Sequence, residues 1–255
     1  MNNTLLNHPG TTGTNQQTFV LVHGAWSAPY VWEPVKEILV NAGYAVVAVQ
    51  LPGHGQDVTD PKTIHMATYI TFVSDAITAI GGSVILAGHS MAGMIISGVA
   101  EQIPQLIDRL VYIAAYAPVS GQSAYALSLL DQQSLLGASL IVSEDQSQFD
   151  LIKEDIINIF AQDANDTARQ LILEYYQPEP AAPFSDPVEL SDNHFGRVAK
   201  YYIETLQDHG IGNSLQKQMI IAAGITQVFE LNTGHTPALT NPEGLSDVLQ
   251  KIAVL

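Results

Sequence analysis

Residues 84–94 read VILAGHSMAGM, an apolar run that ends in a serine hemmed in by small residues. The run has the unbroken apolar character of a strand covered on both faces, and the segment after it has helical spacing. The chain must therefore turn sharply at Ser90. Gly88, Ala92 and Gly93 leave room for the strained backbone such a turn demands. The helix that begins near Met91 aims its N-terminal amides at the serine oxygen, where a developing oxyanion would lie. Taken alone, the motif also fits a glycine-flanked serine that merely caps a helix.

Working outward, strand-like runs recur at residues 19–22 (FVLV), 44–49 (YAVVAV), 83–87 (SVILA), 110–114 (LVYIA), 200–205 (KYYIET) and 227–231 (QVFEL). Helix-length amphipathic segments lie between them, at 31–42, 66–80, 91–101, 214–223 and 242–252. This alternation predicts an α/β fold with a doubly wound, mostly parallel sheet and right-handed crossovers. It lapses between residues 118 and 195. There, helical stretches at 150–160 and 167–176 precede QPEPAAPFSDP, which holds too much proline for an element interior. The expected organisation is a flexible leader over 1–17, a core over 18–117 and 196–255, and an inserted helical lid over 118–195.

Composition narrows the function. Hydrophobic residues make up 47% of the 255 and charged ones 13%, the balance of a globular chain. Acidic residues outnumber basic ones 25 to 9, for a net charge of -16, which repels phosphate backbones and anionic lipid surfaces. Nucleic acid and membrane are thus poor partners. The absence of cysteine excludes disulfides and thiolate chemistry. Residues 1–17 have neither a basic start nor an apolar core, and no apolar stretch reaches the roughly 18 residues that span a bilayer. A cytoplasmic location is expected, and a homodimer is compatible with the chain.

A serine hydroxyl needs a base, and the base an orienting carboxylate. Of eight histidines, His8 falls in the leader, while His65 and His194 carry no motif. His23 and His54 sit in the turns HGAW and PGHG, where structural hydrogen bonding is the simpler role; His89 adjoins the serine on the same turn, and His209 follows Asp208. His235 remains, on the loop after the last strand and therefore at the same sheet edge as Ser90. The acid should follow the preceding strand, and Asp208, in KYYIETLQDHG, does so. Glu204, Asp186, Asp192 and Asp247 compete but do not leave a strand's carboxyl end. At the end of the first strand, His23-Gly24-Ala25 offers a backbone turn, so the amides of Ala25 and Met91 are the expected oxyanion donors. Gly24, Trp26 and His89 are the candidate substrate contacts. Of the aromatics Trp26, Tyr30 and Trp32, at most two should line a pocket.

With these residues in view the chain resembles an α/β-hydrolase from about residue 19 to its end. It is most similar to the branch that holds plant methylesterases, hydroxynitrile lyases and bacterial pyrethroid-hydrolase-like carboxylesterases. The residues that carry the resemblance are FVLVHGAW, LPGHG, GHSMAG, YIAAYAP, the PEP and DPVEL that follow the insertion's helices, KYYIETLQD and TGH. The resemblance implies Ser90 as nucleophile, His235 as base, Asp208 as orienting acid, and Ala25 and Met91 as oxyanion donors. Ala92 departs from the usual GxSxG. The lyases of this group carry lysine after the histidine and threonine in the first turn; Thr236 and Gly24 stand there, which favours hydrolysis. The expectation is a serine hydrolase that cleaves small-molecule carboxylic esters with an apolar part through an acyl-enzyme, without metal or organic cofactor. Lyase, lactonase or amidase chemistry on the same triad, or a weakly hydrolytic receptor, are the alternatives.

Overall fold

The computed structural model of the protein describes residues 17–255; residues 1–16 of the expected leader lie outside them. In chain order come β1 (Thr18–Val22), α1 (Glu33–Asn41), β2 (Ala45–Val49), α2 (Met66–Ile80), β3 (Val84–His89), α3 (Ala92–Gln102) and β4 (Ile107–Ile113). A long excursion follows, containing α4 (Ala124–Ser128), α5 (Leu136–Ser139), β5 (Leu140–Val142), β6 (Gln148–Leu151), α6 (Ile156–Phe160), α7 (Asp166–Tyr175), β7 (Glu179–Pro180) and α8 (Ala182–Ser185). The chain then closes with β8 (Ala199–Thr205), α9 (Asn213–Ala222), β9 (Gln227–Leu231), α10 (Pro237–Thr240) and α11 (Pro242–Ala253).

All six expected strands join one parallel sheet in the order β2-β1-β3-β4-β8-β9. Every residue of β3 is buried, so both faces of the central sheet are covered. Its Val84, Ile85 and Leu86 side chains are each withdrawn from water, a contribution of roughly 1.5–3 kcal/mol apiece. Helix α1 packs on α11, and α2 on α3. Because β1 pairs with β2 on one side and β3 on the other, the strand order reverses between β1 and β3. At such a reversal the loops leaving the two strands diverge and open a crevice beyond their carboxyl ends. The turn at 23–26 and Ser90 leave these two strands.

The excursion differs from the helical insertion that the sequence suggests. Residues 150–160 do not form one helix. Residues 150–151 belong to β6, which pairs antiparallel with β5 and with β7, and only Ile156–Phe160 is helical. The cause lies in the hairpin that precedes them. Asp145 accepts hydrogen bonds from the Ser143 and Ser147 hydroxyls and the Ser147 amide, and Gln146 turns through a φ of 59°. That turn sends the chain back along residues 140–142 before its apolar spacing can wind into a helix. No helix among the described residues is long and apolar enough to cross a membrane.

Candidate active site

Ser90 sits at the β3–α3 junction with φ 57°, the left-handed region that a non-glycine residue enters at a cost of about 1–3 kcal/mol. The structure holds it there. Its amide donates to the Ile113 carbonyl at 3.2 Å, and its carbonyl accepts from Gly93 and Tyr116, each at 3.1 Å. Both glycines of this turn are crowded: an added Cβ at Gly93 would run into the Tyr116 carbonyl oxygen, and one at Gly88 would fall 2.8 Å from the Ala92 carbonyl oxygen. Ala92, the departure from GxSxG, is fully buried in the first turn of α3. On the facing turn an added Cβ at Gly24 would fall 2.7 Å from the Ser90 Cβ. Gly24 therefore serves close approach, and it lines neither cavity beside the serine.

Ser90 Oγ lies 2.9 Å from His235 Nε2, and His235 Nδ1 lies 2.9 Å from both carboxylate oxygens of Asp208. All three residues are buried. An ionised carboxylate only accepts, so Nδ1 carries the hydrogen and Nε2 presents its lone pair to the hydroxyl. Asp208 is itself caged. Its Oδ1 accepts from the Gly210 and Ile211 amides at 2.8 Å each, and Oδ2 from Thr205 Oγ1 at 2.7 Å and Gln216 Nε2 at 3.0 Å. Thr205 and Gln216 escaped the sequence reading because nothing in a strand-end threonine or a helix glutamine marks such a partner.

The amides of Ala25 and Met91 donate to no other group among the described residues, and each adjoins the serine's crevice from a different strand end. His89 turns away from the hydroxyl: its Nε2–H donates to the His235 carbonyl at 2.7 Å. Burial, followed by the nearby His235, pulls its pKa down to about 3, so the ring is neutral. His209 faces the Asn158 carbonyl, His65 pairs with Asp186, and His194 with Glu101. Trp26 shares the left-handed geometry of Ser90, with φ 55°, as does Ala114 at 46° beyond β4. Three strained non-glycine residues thus follow three neighbouring strands at one rim.

Two spaces flank these groups. A narrow cleft is lined by Ala25, Trp26, Tyr30, His89, Phe160 and His235. A cavity of about 320 Å³ is walled by Trp26, Tyr116, Tyr125, Leu129, Phe149 and Phe184 among others. Trp26 belongs to both, whereas Trp32 is wholly buried in the core. Of the apolar residues in the excursion, Tyr125, Leu129, Leu136 and Phe149 face the cavity, and Leu130 and Ile152 face solvent. A more open depression of about 480 Å³, around Pro118, Phe195 and Lys200, contains none of the serine-site residues.

The excursion is also tied to the loops that carry the site. Trp26 Nε1 donates to the Phe149 carbonyl at 2.9 Å, Gln162 Nε2 to the Gln207 carbonyl, and the Gly234 amide to Asp163 Oδ2 at 2.8 Å.

A profile described as Alpha/beta hydrolase family matches residues 19–248. The provisionally named methylesterase 11, chloroplastic, of Arabidopsis thaliana is 29% identical over 247 residues, covering 92% of this chain and 63% of its own length. The chain spans about 60% of the first such relatives it matches. Salicylic acid-binding protein 2 of Nicotiana tabacum is 28% identical, covering 92% of this chain and 96% of its own. Among solved structures, polyneuridine aldehyde esterase superposes with a TM-score of 0.84 at 22% identity, covering 94% of this chain and 100% of its own. The pyrethroid hydrolase of Sphingobium faniae JZ-2 gives 0.83 at 23%, covering 94% and 98%. These two likenesses speak to the fold.

Proposed function

The chain belongs to the alpha/beta hydrolase family, and from that premise we propose that it is a serine esterase acting on small carboxylic esters with an apolar part. The observation that carries this reading is the continuous line Ser90 Oγ, His235, Asp208, with 2.9 Å at each link. His235 Nε2 takes the hydroxyl proton as Ser90 Oγ attacks the ester carbonyl. The developing oxyanion is met by the two uncommitted amides of Ala25 and Met91, both buried, where such donors act more strongly than in water. The imidazolium, steadied by Asp208, then protonates the departing alcohol, and water repeats the cycle on the acyl-enzyme. The 320 Å³ cavity suits a small to medium ester, and its aromatic and aliphatic walls favour an apolar group. The methylesterase names among the relatives support an ester over a cyanohydrin.

The test is covalent labelling by a fluorophosphonate, read by peptide mass spectrometry, alongside hydrolysis of p-nitrophenyl esters. Label should appear on Ser90, and Ser90→Ala should lose turnover by a factor on the order of 10⁶. An unlabelled serine, or a variant that hydrolyses at the parent rate, rejects the reading.

A further inference from the structure

One buried carboxylate that the ester mechanism does not use gathers partners from three other segments. Glu179, in β7, is fully buried. Its Oε2 accepts from the Trp26 amide at 3.0 Å and from His54 Nε2 at 2.7 Å, and its Oε1 from the Tyr69 hydroxyl at 3.1 Å. A buried carboxylate stays ionised only where its lone pairs are taken up and its charge is balanced. His54 supplies the balance. Its other ring nitrogen, Nδ1, lies 3.0 Å from the Pro52 carbonyl oxygen. A carbonyl and a carboxylate can only accept, so both nitrogens carry hydrogen and the ring is an imidazolium. Burial works against that charge, but the Glu179 carboxylate, the Pro52 carbonyl and Asp57 together hold the His54 pKa above the ordinary imidazole value.

The other titratable neighbours stay neutral. His23, whose ring centroid is 4.9 Å from that of His54, accepts the Leu51 amide on Nε2 and donates Nδ1–H to the Gly24 carbonyl at 2.9 Å. Burial and then repulsion from His54 keep its pKa well below the usual range. Tyr69 and Tyr176 are kept protonated by burial and by the negative charge beside them. The turn is thus gripped at two points, the Gly24 carbonyl by His23 and the Trp26 amide by Glu179. Ala25 lies between them. Trp26 is in the left-handed region, which a tryptophan occupies only when its surroundings hold it there.

We propose that the buried Glu179–His54 ion pair is a positioning device that clamps the 24–26 turn and aims the Ala25 amide at the Ser90 oxygen. This rests on the reading of Ala25 as an oxyanion donor. Since Glu179 belongs to the excursion, seating that segment and completing the oxyanion site are one event. The sign with pH follows from the imidazolium. The clamp is complete below the ordinary imidazole pKa and fails as pH rises through the raised His54 value. There the neutral ring must give up either Pro52 or Glu179, and turnover declines.

The experiment compares wild type, Glu179→Gln and Glu179→Ala by p-nitrophenyl butyrate kinetics across pH, together with ¹⁵N NMR of the His54 ring and amide exchange at Trp26. In Glu179→Gln, with no carboxylate to hold its charge, His54 is already neutral at pH 7 and, like wild type at high pH, must give up either Pro52 or residue 179, so kcat should sit near wild type's alkaline level at every pH and the alkaline decline should vanish. Alanine should lower kcat about 10- to 100-fold, with KM within about threefold and Trp26 exchange at least about tenfold faster. A wild-type His54 that is neutral at pH 7, an unchanged alkaline limb in Glu179→Gln, or a kcat for Glu179→Ala within about twofold of wild type overturns the clamp. If Glu179→Ala does not fold, the ring protonation and the glutamine profile decide. If wild type hydrolyses no ester, the esterase reading falls, and ring protonation with Trp26 exchange still judges the clamp.

Discussion

Asp208 shows how much of the proposed chemistry depends on a proton's address. With aspartate, Nδ1–H of His235 donates to the carboxylate and Nε2 is left free to accept. In Asp208→Asn the side-chain amide can turn a donor toward Nδ1, which shifts the hydrogen to Nε2 and leaves Ser90 without a base. Turnover of a p-nitrophenyl ester should fall by about 10⁴ with KM little changed, a split readable by steady-state kinetics. Ala92 calls for the opposite outcome. The tight contacts lie at Gly88 and Gly93, so Ala92→Gly chiefly adds backbone freedom to the first turn of α3. It should leave kcat within about twofold and cost about 0.5–1 kcal/mol on denaturant unfolding. Ser90, His235 and Asp208, which the structure brings within hydrogen-bonding reach of one another, are each legible in the sequence because each follows a strand that announces itself by an apolar run. Thr205, Gln216 and Glu179 were not. Their roles depend on distances between segments far apart in the chain, which no local pattern records.

Among the elements, the regular ones could be read closely and the excursion could not. The boundaries of α2 match its apolar spacing residue for residue, since Gly81 ends it in the left-handed conformation. Strands β5, β6 and β7 went unread because each is short and paired only with the others. The return segment carries a second carboxylate with an unadvertised task. Asp186 Oδ2 accepts from the Met66 amide at 3.0 Å and pairs with His65, so it completes the N-terminus of α2 from 120 residues away. Asp186→Ala should cost about 1 kcal/mol. That corresponds to about 2–4 °C in thermal denaturation for a chain of this size, whereas a variant at the solvated Asp192 should not move the midpoint measurably.

For the molecule as a whole, the net charge of -16 sets the field an incoming substrate meets. Long-range repulsion slows the approach of anions and is screened over about 10 Å at 0.1 M salt. Raising sodium chloride from about 20 to about 200 mM should therefore increase kcat/KM for a carboxylate-bearing ester severalfold and leave a neutral ester of the same size unchanged. Equal responses from the two esters would show that the field is too diffuse to matter at the site. The stitching of the excursion to the core has its own result. It is fastened to Trp26 through Glu179 and Phe149, and to the loops beside Asp208 and His235 through Gln162 and Asp163. Swinging it upward like a hatch would break these hydrogen bonds on both sides at once, so on the proposed esterase reading reactants are expected to slip in edgewise. Tyr125 and Leu129, both exposed on the wall of the 320 Å³ cavity, stand where such a doorway would lie.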